Sequence, residues 1–162
     1  MLASMGIAEI KVRRKLRVAF FSTGDELRSV GESLGEGEIY DSNRYTLHGM
    51  LSRLQVDIIA LGVIQDQPQA MRQAFQKASS NADVIITTGG VSVGEADYVK
   101  NVIAEVGNVD FWKLAIKPGR PFAFGKINEA VFFFWITRQS CRSDGHLLPI
   151  RTTIVKTHNG AS

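Results

Sequence analysis

The sequence lacks cysteine almost entirely, since Cys141 is the only one among 162 residues. A single cysteine excludes a framework of disulfide bonds within the chain and is typical of a protein in a reducing compartment. Long hydrophobic runs are also missing, and the N-terminus lacks the basic start and apolar core of a signal peptide. We therefore expect a cytoplasmic protein that makes no contact with a membrane.

The sequence also lacks a large excess of charge of either sign, because 19 Lys and Arg residues are nearly balanced by 16 Asp and Glu residues, for a net charge of +3. The one basic cluster, Lys11 to Arg17, is interpreted as a solvated linker, and no nucleic-acid partner is expected. With 44% hydrophobic residues and only four prolines, the chain is neither disordered nor a repeat of low complexity. It can bury one sizeable core.

The apolar pattern alternates between strands and helices. Four apolar runs read as strands, and three segments between them have helical spacing; the first helix has Asn43 as its candidate N-cap. The strands are predicted over Val18 to Phe21, Val56 to Ile64, Ala82 to Ile86 and Val109 to Ile116. The helices are predicted from Asn43 to Leu54, after Asp66-Gln67-Pro68, and over Tyr98 to Val106. This order predicts an α/β fold in three layers, with helices on both faces of a mainly parallel sheet.

A glycine-rich segment follows the third predicted strand and precedes the third helix. It runs from Thr87 to Tyr98 and contains Gly89, Gly90, Ser92 and Gly94. Backbone N–H groups of such a loop converge on an anion at the start of a helix, so a phosphate ester is the expected ligand. The spacing matches neither the Walker A loop nor the dinucleotide fingerprint. An ordinary turn from strand to helix is the alternative.

Charged residues follow each predicted strand, where ligands of parallel sheets bind. They are Asp25 and Glu26, then Asp66, then Asp97, and finally Lys117 and Arg120 around Pro118-Gly119. Carboxylates beside a phosphate loop suggest chemistry assisted by Mg²⁺, and Lys113, Lys117 and Arg120 could hold an oxyanion. Asp25 or Asp66 could equally cap a turn or helix. His48 has no Cys or His nearby and is interpreted as a surface or packed histidine.

Four ordered motifs resemble the molybdopterin molybdenumtransferase family, of the MoeA and gephyrin E-domain type. They cover Phe21 to Leu27, Ile39 to Asn43, Thr88 to Tyr98 and Lys117 to Pro121. The resemblance corresponds to the family's MogA-like, molybdopterin-binding domain, placed at residues 16–134. Residues 1–15 then look like a hinge that leads into this domain, which makes Met1 an internal methionine.

The resemblance implies insertion of molybdenum from molybdate into adenylylated molybdopterin, with release of AMP, and Mg²⁺ as the cofactor. It assigns the catalytic roles to Glu26, Asp66, Asp97, Lys113 and Lys117, and leaves the metal ligands undetermined. It assigns cofactor binding to Thr88, Gly89, Gly90, Ser92, Gly94, Pro118, Gly119 and Arg120. Full-length members form homodimers, and molybdopterin adenylyltransferase and molybdoenzyme chaperones stay open as protein partners.

The resemblance stops after Phe134, where the family continues with a Gly-Leu-Pro-Gly-Asn-Pro loop. Here the chain reads Trp135-Ile136-Thr137-Arg138-Gln139-Ser140-Cys141. This segment can be back-translated with the codons TGG ATT ACC CGG CAA TCC TGT, and reading this choice from the second base restores Gly-Leu-Pro-Gly-Asn-Pro. Residues 135–162 are therefore expected to be a frameshifted, non-native tail. The irregular spacing of Cys141, His146 and His158 does not favour a metal site.

Three functions follow for this chain. The first is the ancestral transferase in molybdenum cofactor biosynthesis, with the fragment inactive alone because neighbouring domains and the missing loop complete the family's site. The second is a non-catalytic molybdopterin-binding module or truncated product. The third is molybdopterin adenylyltransferase, which shares the fold, but Ser22 to Leu27 and Glu95-Ala96-Asp97-Tyr98 point away from it.

Overall fold

The protein is described here from a computed structural model, which covers residues 3–89, 101–105, 107–113, 121–127 and 131–137. For residues 108–113, 121–123 and 137 the description is limited to the backbone. Within these residues, eight strands and two complete helices are arranged in the order β1, β2, β3, α1, β4, α2, β5, β6, β7, β8. A short 3₁₀ turn, Ala3–Met5, precedes them, and residues 101–105 are helical.

The strands are β1 (Arg17–Thr23), β2 (Leu27–Arg28), β3 (Ile39–Tyr40), β4 (Asp57–Ile64), β5 (Val84–Gly89), β6 (Gly107–Lys113), β7 (Pro121–Ile127) and β8 (Val131–Thr137). The helices are α1 (Ser42–Arg53) and α2 (Pro68–Asn81). All four predicted strands and the first two predicted helices are confirmed, with changed ends; residues 114–116 of the fourth predicted strand lie outside the described residues. Of the third predicted helix, residues 101–105 are helical, while Tyr98 and Val106 lie outside the described residues.

Six strands form one sheet in the order β4-β1-β5-β8-β7-β6, and β2 pairs with β3 separately. The pairings of β1 with β4, β1 with β5 and β5 with β8 are parallel, whereas β8–β7 and β7–β6 are antiparallel. The mainly parallel sheet is therefore confirmed. The antiparallel end was missed, because no strand was predicted after Ile116. Only three residues separate β7 from β8, too few for the crossover that parallel neighbours need.

Two hydrophobic clusters fill the space on the two faces of the sheet. On one face, Met71, Phe75 and Ala78 of α2 pack with Val102 and Ile103 against the sheet. On the other face, Leu47 and Leu51 of α1 pack over β1, β5 and β8. Three phenylalanine rings cross the first cluster edge to face, since Phe75 lies 5.3 Å from Phe21 and 5.4 Å from Phe133 between ring centroids. Helices on both faces confirm the three-layer prediction.

The predicted N-cap of α1 was wrong. Asp41, and not Asn43, precedes the helix, and its buried carboxylate accepts a hydrogen bond from the N–H of Arg44 at 3.2 Å. Asn43 lies inside the first turn and is buried. Both residues belong to the set that favours N-caps, so composition alone could not separate them.

Candidate functional site

The carboxyl ends of β1, β4, β5 and β8 lie at the same edge of the sheet, because these four neighbours are mutually parallel. β1 ends at Thr23, β4 at Ile64 and β5 at Gly89, and Thr23 pairs directly with Ile64. The loops that follow β1 and β4 are therefore adjacent. This is the edge at which open sheets of this kind bind ligands.

Two hydrogen bonds join the loop after β1 to the loop after β4. The N–H of Gly24 donates to the carbonyl of Ile64 at 3.4 Å, and the N–H of Asp66 donates to Oδ1 of Asp25 at 3.1 Å. The structure thus brings Asp66 beside Asp25, and Glu26 follows in the same loop. Asp66 does not cap α2, since the N-cap is Gln67, which makes no capping bond with its side chain.

Arg28 organises the loop that leads away from β1. One terminal nitrogen donates to the carbonyls of Asp25 and Leu27 at 3.0 and 2.8 Å, and the other binds the carboxylate of Glu38. The partly buried guanidinium therefore fixes the backbone next to Glu26, which itself accepts the N–H of Ile39 at 2.8 Å through its carbonyl. Sequence reasoning passed over Arg28, although a cation two residues after the Asp25-Glu26 pair was a usable signal.

A polar cleft of about 520 Å³ opens between these loops. It is lined by Gly24, Asp25, Leu27, Arg28, Ser29, Glu32, Val63, Gln65 and Gln67. Its volume is within the range of small-molecule sites, and its lining offers both donors and acceptors. The cleft lies beside the predicted catalytic acids Glu26 and Asp66.

Thr88 and Gly89, which were predicted to begin the phosphate loop, belong to strand β5. The hydroxyl of Thr88 is buried and lies 2.9 Å from that of Ser22 on the neighbouring strand. A Cβ atom on Gly89 would lie 2.5 Å from Oγ1 of Thr23 and 3.2 Å from Nε1 of Trp135. Close packing therefore accounts for this glycine, and the loop itself starts no earlier than residue 90.

Lys113 is the last residue of β6, which is the outermost strand on the antiparallel side of the sheet. Trp112 pairs with Phe122, and Phe122 pairs with Ile136. Lys113, one residue further, therefore lies at the same height along the strands as Thr137 and its partner Gly89. Three strand spacings separate β6 from β5, or roughly 14 Å. The backbone of Lys113 is thus at the edge where the predicted site lies, but several strands from Asp66.

Eight of the predicted site residues lie outside the described residues: Gly90, Ser92, Gly94, Asp97, Lys117, Pro118, Gly119 and Arg120. The same is true of Cys141, His146 and His158 in the tail. Within the described ranges, no group of three or more His, Cys, Asp and Glu side chains could hold a metal ion. His48 is exposed on α1, as predicted, and its ring centroid lies 6.4 Å from that of Phe20.

The basic linker contacts the sheet at the amino ends of β1 and β5, opposite the candidate site. Arg14 forms two hydrogen bonds with the carboxylate of Asp83, at 2.6 and 2.7 Å, and the N–H of Arg17 donates to the same carboxylate at 2.8 Å. Arg14 is the main cause that lowers the pKa of Asp83 from 3.8 to about 2. Lys11 to Lys15 are exposed as predicted, whereas Arg17 is half-buried at the start of β1. Arg14 and Arg17 both attach this segment to the domain through Asp83.

Comparison with known proteins places this geometry in a family. Over 132 residues the chain is 54% identical to a molybdopterin molybdenumtransferase of Haemophilus influenzae, which corresponds to 82% of this chain and 33% of that protein. It is 33% identical over 139 residues to gephyrin of Dictyostelium discoideum, covering 78% of this chain and 19% of that protein. The chain therefore spans about a third or less of the length of these curated relatives.

Solved structures agree with the sequence relatives. The molybdopterin biosynthesis MoeA protein of Pyrococcus horikosii superimposes with a TM-score of 0.77 at 31% identity, over 97% of this chain and 40% of that one. The MoaB protein of Thermus thermophilus shares the fold alone, with a TM-score of 0.63 at 14% identity over 90% of this chain and 97% of that one. Among the helices of the described part, none is long and apolar enough to cross a membrane. Residues 19–138 match the family described as a probable molybdopterin binding domain, and the chain belongs to that family.

Proposed function

We propose that this chain is the molybdopterin-binding domain of a molybdopterin molybdenumtransferase and binds molybdopterin at the carboxyl edge of its sheet. The observation that carries the proposal is the 54% identity with the transferase of Haemophilus influenzae over 132 residues. The family match over residues 19–138 includes the loops joined at Asp25 and Asp66. Adenylylated molybdopterin and molybdate are the proposed substrates, and the cytoplasm is the proposed location.

The proposed chemistry needs charges of both signs at this edge. Molybdate and the phosphates of adenylylated molybdopterin are anions, so Lys113 and Lys117 are proposed to stabilise the negative charge that develops as AMP leaves. The glycine loop, from Thr88 to Gly94, and the segment Pro118-Gly119-Arg120 would hold the phosphate of the pterin. In this assignment the hydroxyl of Thr88 supports the strand under the loop, since it is buried against Ser22.

Glu26, Asp66 and Asp97 are the proposed acidic residues of the site. Carboxylate oxygens are the ligands that Mg²⁺ prefers, and two of these acids lie in loops that the structure joins by hydrogen bonds. Magnesium would neutralise phosphate charge when bound. The described residues alone supply no complete set of ligands, so Asp97 or oxygen atoms of the substrate would have to complete it.

We further propose that the chain binds molybdopterin but does not complete molybdenum insertion alone. Its extent, about a third of the transferase from Haemophilus influenzae, favours this second candidate, a binding module without turnover. The homodimer known for full-length members, and contacts with an adenylyltransferase or a molybdoenzyme chaperone, belong to the proposal for a longer protein. Adenylylation of molybdopterin by this chain is the least favoured function.

Titration with molybdopterin tests the proposal directly. We expect saturable quenching or enhancement of pterin fluorescence, weakened at least tenfold by Lys117→Ala and by Asp97→Ala, and unchanged by Gly49→Ala. Gly49 is a suitable control because it lies exposed on α1, and no atom lies within 4 Å of a Cβ placed there. A titration that fails to saturate would refute the binding proposal, whereas release of AMP from adenylylated molybdopterin would refute the inactivity of the chain.

The origin of residues 135–162 in a frameshift is also a proposal. The first three of these residues form the end of β8, where Trp135 and Ile136 are buried beside β5. Sequencing of the DNA across the codons of Phe132 to Trp135 decides the matter. One surplus base in the record would restore the Gly-Leu-Pro-Gly-Asn-Pro loop, while confirmation of the recorded frame makes the tail a real part of this chain.

A further inference from the structure

Strand β4 contains one extra residue just before it reaches the candidate site. Phe20 pairs with Ala60 and Ser22 pairs with Val63, so the single residue Phe21 lies opposite both Leu61 and Gly62. Gly62 has φ = +81° and is the strand residue with positive φ in the described part of the chain. This arrangement is a β-bulge centred on a glycine.

The packing of β4 shows what the bulge does to the strand. Ile59 and Leu61, two residues apart, pack against the cluster beneath α2, and the next member of that cluster is Ile64, three residues further. In a regular strand, alternation would send residue 63 to that face and residue 64 to the opposite one. The extra residue therefore switches the face on which every later side chain of β4 lies.

The same switch sets how far β4 extends along β1. With the bulge, Ile64 is level with Thr23, and its carbonyl accepts the N–H of Gly24. Two residues later, the N–H of Asp66 reaches Oδ1 of Asp25 at 3.1 Å. If the same residues ran in an unbroken register, Ile64 would lie level with Gly24, and Asp66 would be one residue, about 3.3 Å, too far along.

We propose that Gly62 is a positioning residue: its bulge places Asp66 against the loop that carries Asp25 and Glu26. The role of Asp66 in the site rests on the proposed function, but its placement by Gly62 does not. The backbone conformation at residue 62, and not a lack of space, is what requires glycine, because a Cβ there would meet nothing nearer than Nη1 of Arg44 at 3.8 Å. Asparagine tolerates this conformation and valine does not.

The test uses Gly62→Val and Gly62→Asn, with Gly37→Val as the matched control. Gly37 has a similar φ of +78° and open space around it, but it lies in an exposed loop outside β4. The readout is the rate of hydrogen exchange of the Asp66 amide, followed by ¹H–¹⁵N NMR at constant pH. The bond to Oδ1 of Asp25 should protect this amide in the unaltered chain, and Asp25→Ala should remove the protection.

We expect Gly62→Val to reduce the protection of the Asp66 amide against hydrogen exchange by more than half, while Gly62→Asn and Gly37→Val retain it. If Gly62→Val does not fold, Gly62→Ala takes its place, with a smaller loss of protection than the valine should cause. Retention of full protection in the folded valine or alanine variant would overturn the proposal, and so would its loss in the Gly37→Val control.

A second readout separates this inference from the proposed function. The affinity for molybdopterin should fall about tenfold in Gly62→Val and stay within about twofold in Gly62→Asn. Failure of the unaltered chain to bind molybdopterin would refute the proposed function but leave the amide result to decide the role of Gly62. Normal binding by a valine variant that has lost protection of the Asp66 amide would refute a role of this placement in the site.

Discussion

Among the described carboxyl groups, Asp83 is one whose ionisation stabilises the folded state, because its pKa is lowered on folding. Its pKa falls from 3.8 to about 2 because it accepts hydrogen bonds from Arg14 and from the backbone of Arg17. The folded state thus holds the proton less tightly than the unfolded chain. The stabilisation is complete above the unfolded value of 3.8 and disappears as the pH falls through about 2.

We therefore expect Asp83→Asn to lower the free energy of unfolding by about 1 kcal/mol at pH 7. A shift of this size corresponds to at most about 2 kcal/mol, and solvent around the exposed Arg14 reduces it. Urea unfolding at several pH values measures the effect, and the difference between variant and unaltered chain should vanish between pH 4 and pH 2. Glu36→Gln, in an exposed loop, is the control, and a pH-independent difference for Asp83→Asn would contradict the assignment.

Gly89 is held by packing at the end of β5, and this too can be tested at the residue scale. Gly89→Ala would place a Cβ against the buried Thr23 and Trp135, so we expect a loss of about 1–3 kcal/mol. Gly49→Ala should instead stabilise the protein by up to about 1 kcal/mol, because it adds a methyl group to an exposed helix position with open space. Thermal unfolding compares the two. Equal effects of the two alanines would contradict close packing at Gly89.

At the scale of elements, apolar periodicity predicted that a strand or helix exists better than it predicted where that element begins and ends. Strand β1 and helix α2 follow from their apolar spacing, and Pro68 marks the first turn of α2. The end of β5 did not follow, because glycine and threonine after an apolar run are typical of a loop. Thr87, Thr88 and Gly89 are nevertheless strand residues, since β1 and β8 pair with β5 on both sides. Partners distant in sequence decide such ends, and a local pattern does not contain them.

The bulge in β4 shows the same limit for the candidate site. The loops that hold Asp25 and Asp66 were expected at one edge, because strands in parallel order end there. Their hydrogen bond depends on a register shift at Gly62, and a glycine within an apolar run only hints at such a shift. Arg28 was missed for a related reason, since its partners include Glu38, ten residues away. The sequence therefore predicted which loops lie together at this edge, while the hydrogen bonds between them could be read only from the fold.

For the whole molecule, the position of β8 determines which parts of the chain are indispensable. β8 lies between β5 and β7 in the middle of the sheet, and its Trp135 and Ile136 are about 2% and 1% exposed. The family match ends at residue 138, one residue beyond this strand. The first residues after the proposed frame change thus complete a central strand, whatever their origin.

This position leads to a prediction for two truncated chains. A chain that ends at residue 138 should unfold within about 5 °C of the full chain, because it retains all eight strands. A chain that ends at residue 134 loses both buried side chains, at roughly 2–5 kcal/mol each, which approaches the entire stability of a domain of this size. We expect it to aggregate or to lack a cooperative transition in thermal unfolding followed by circular dichroism. Cooperative unfolding of the shorter chain would show that β8 contributes little, and collapse of the longer one would assign a structural role to residues 139–162.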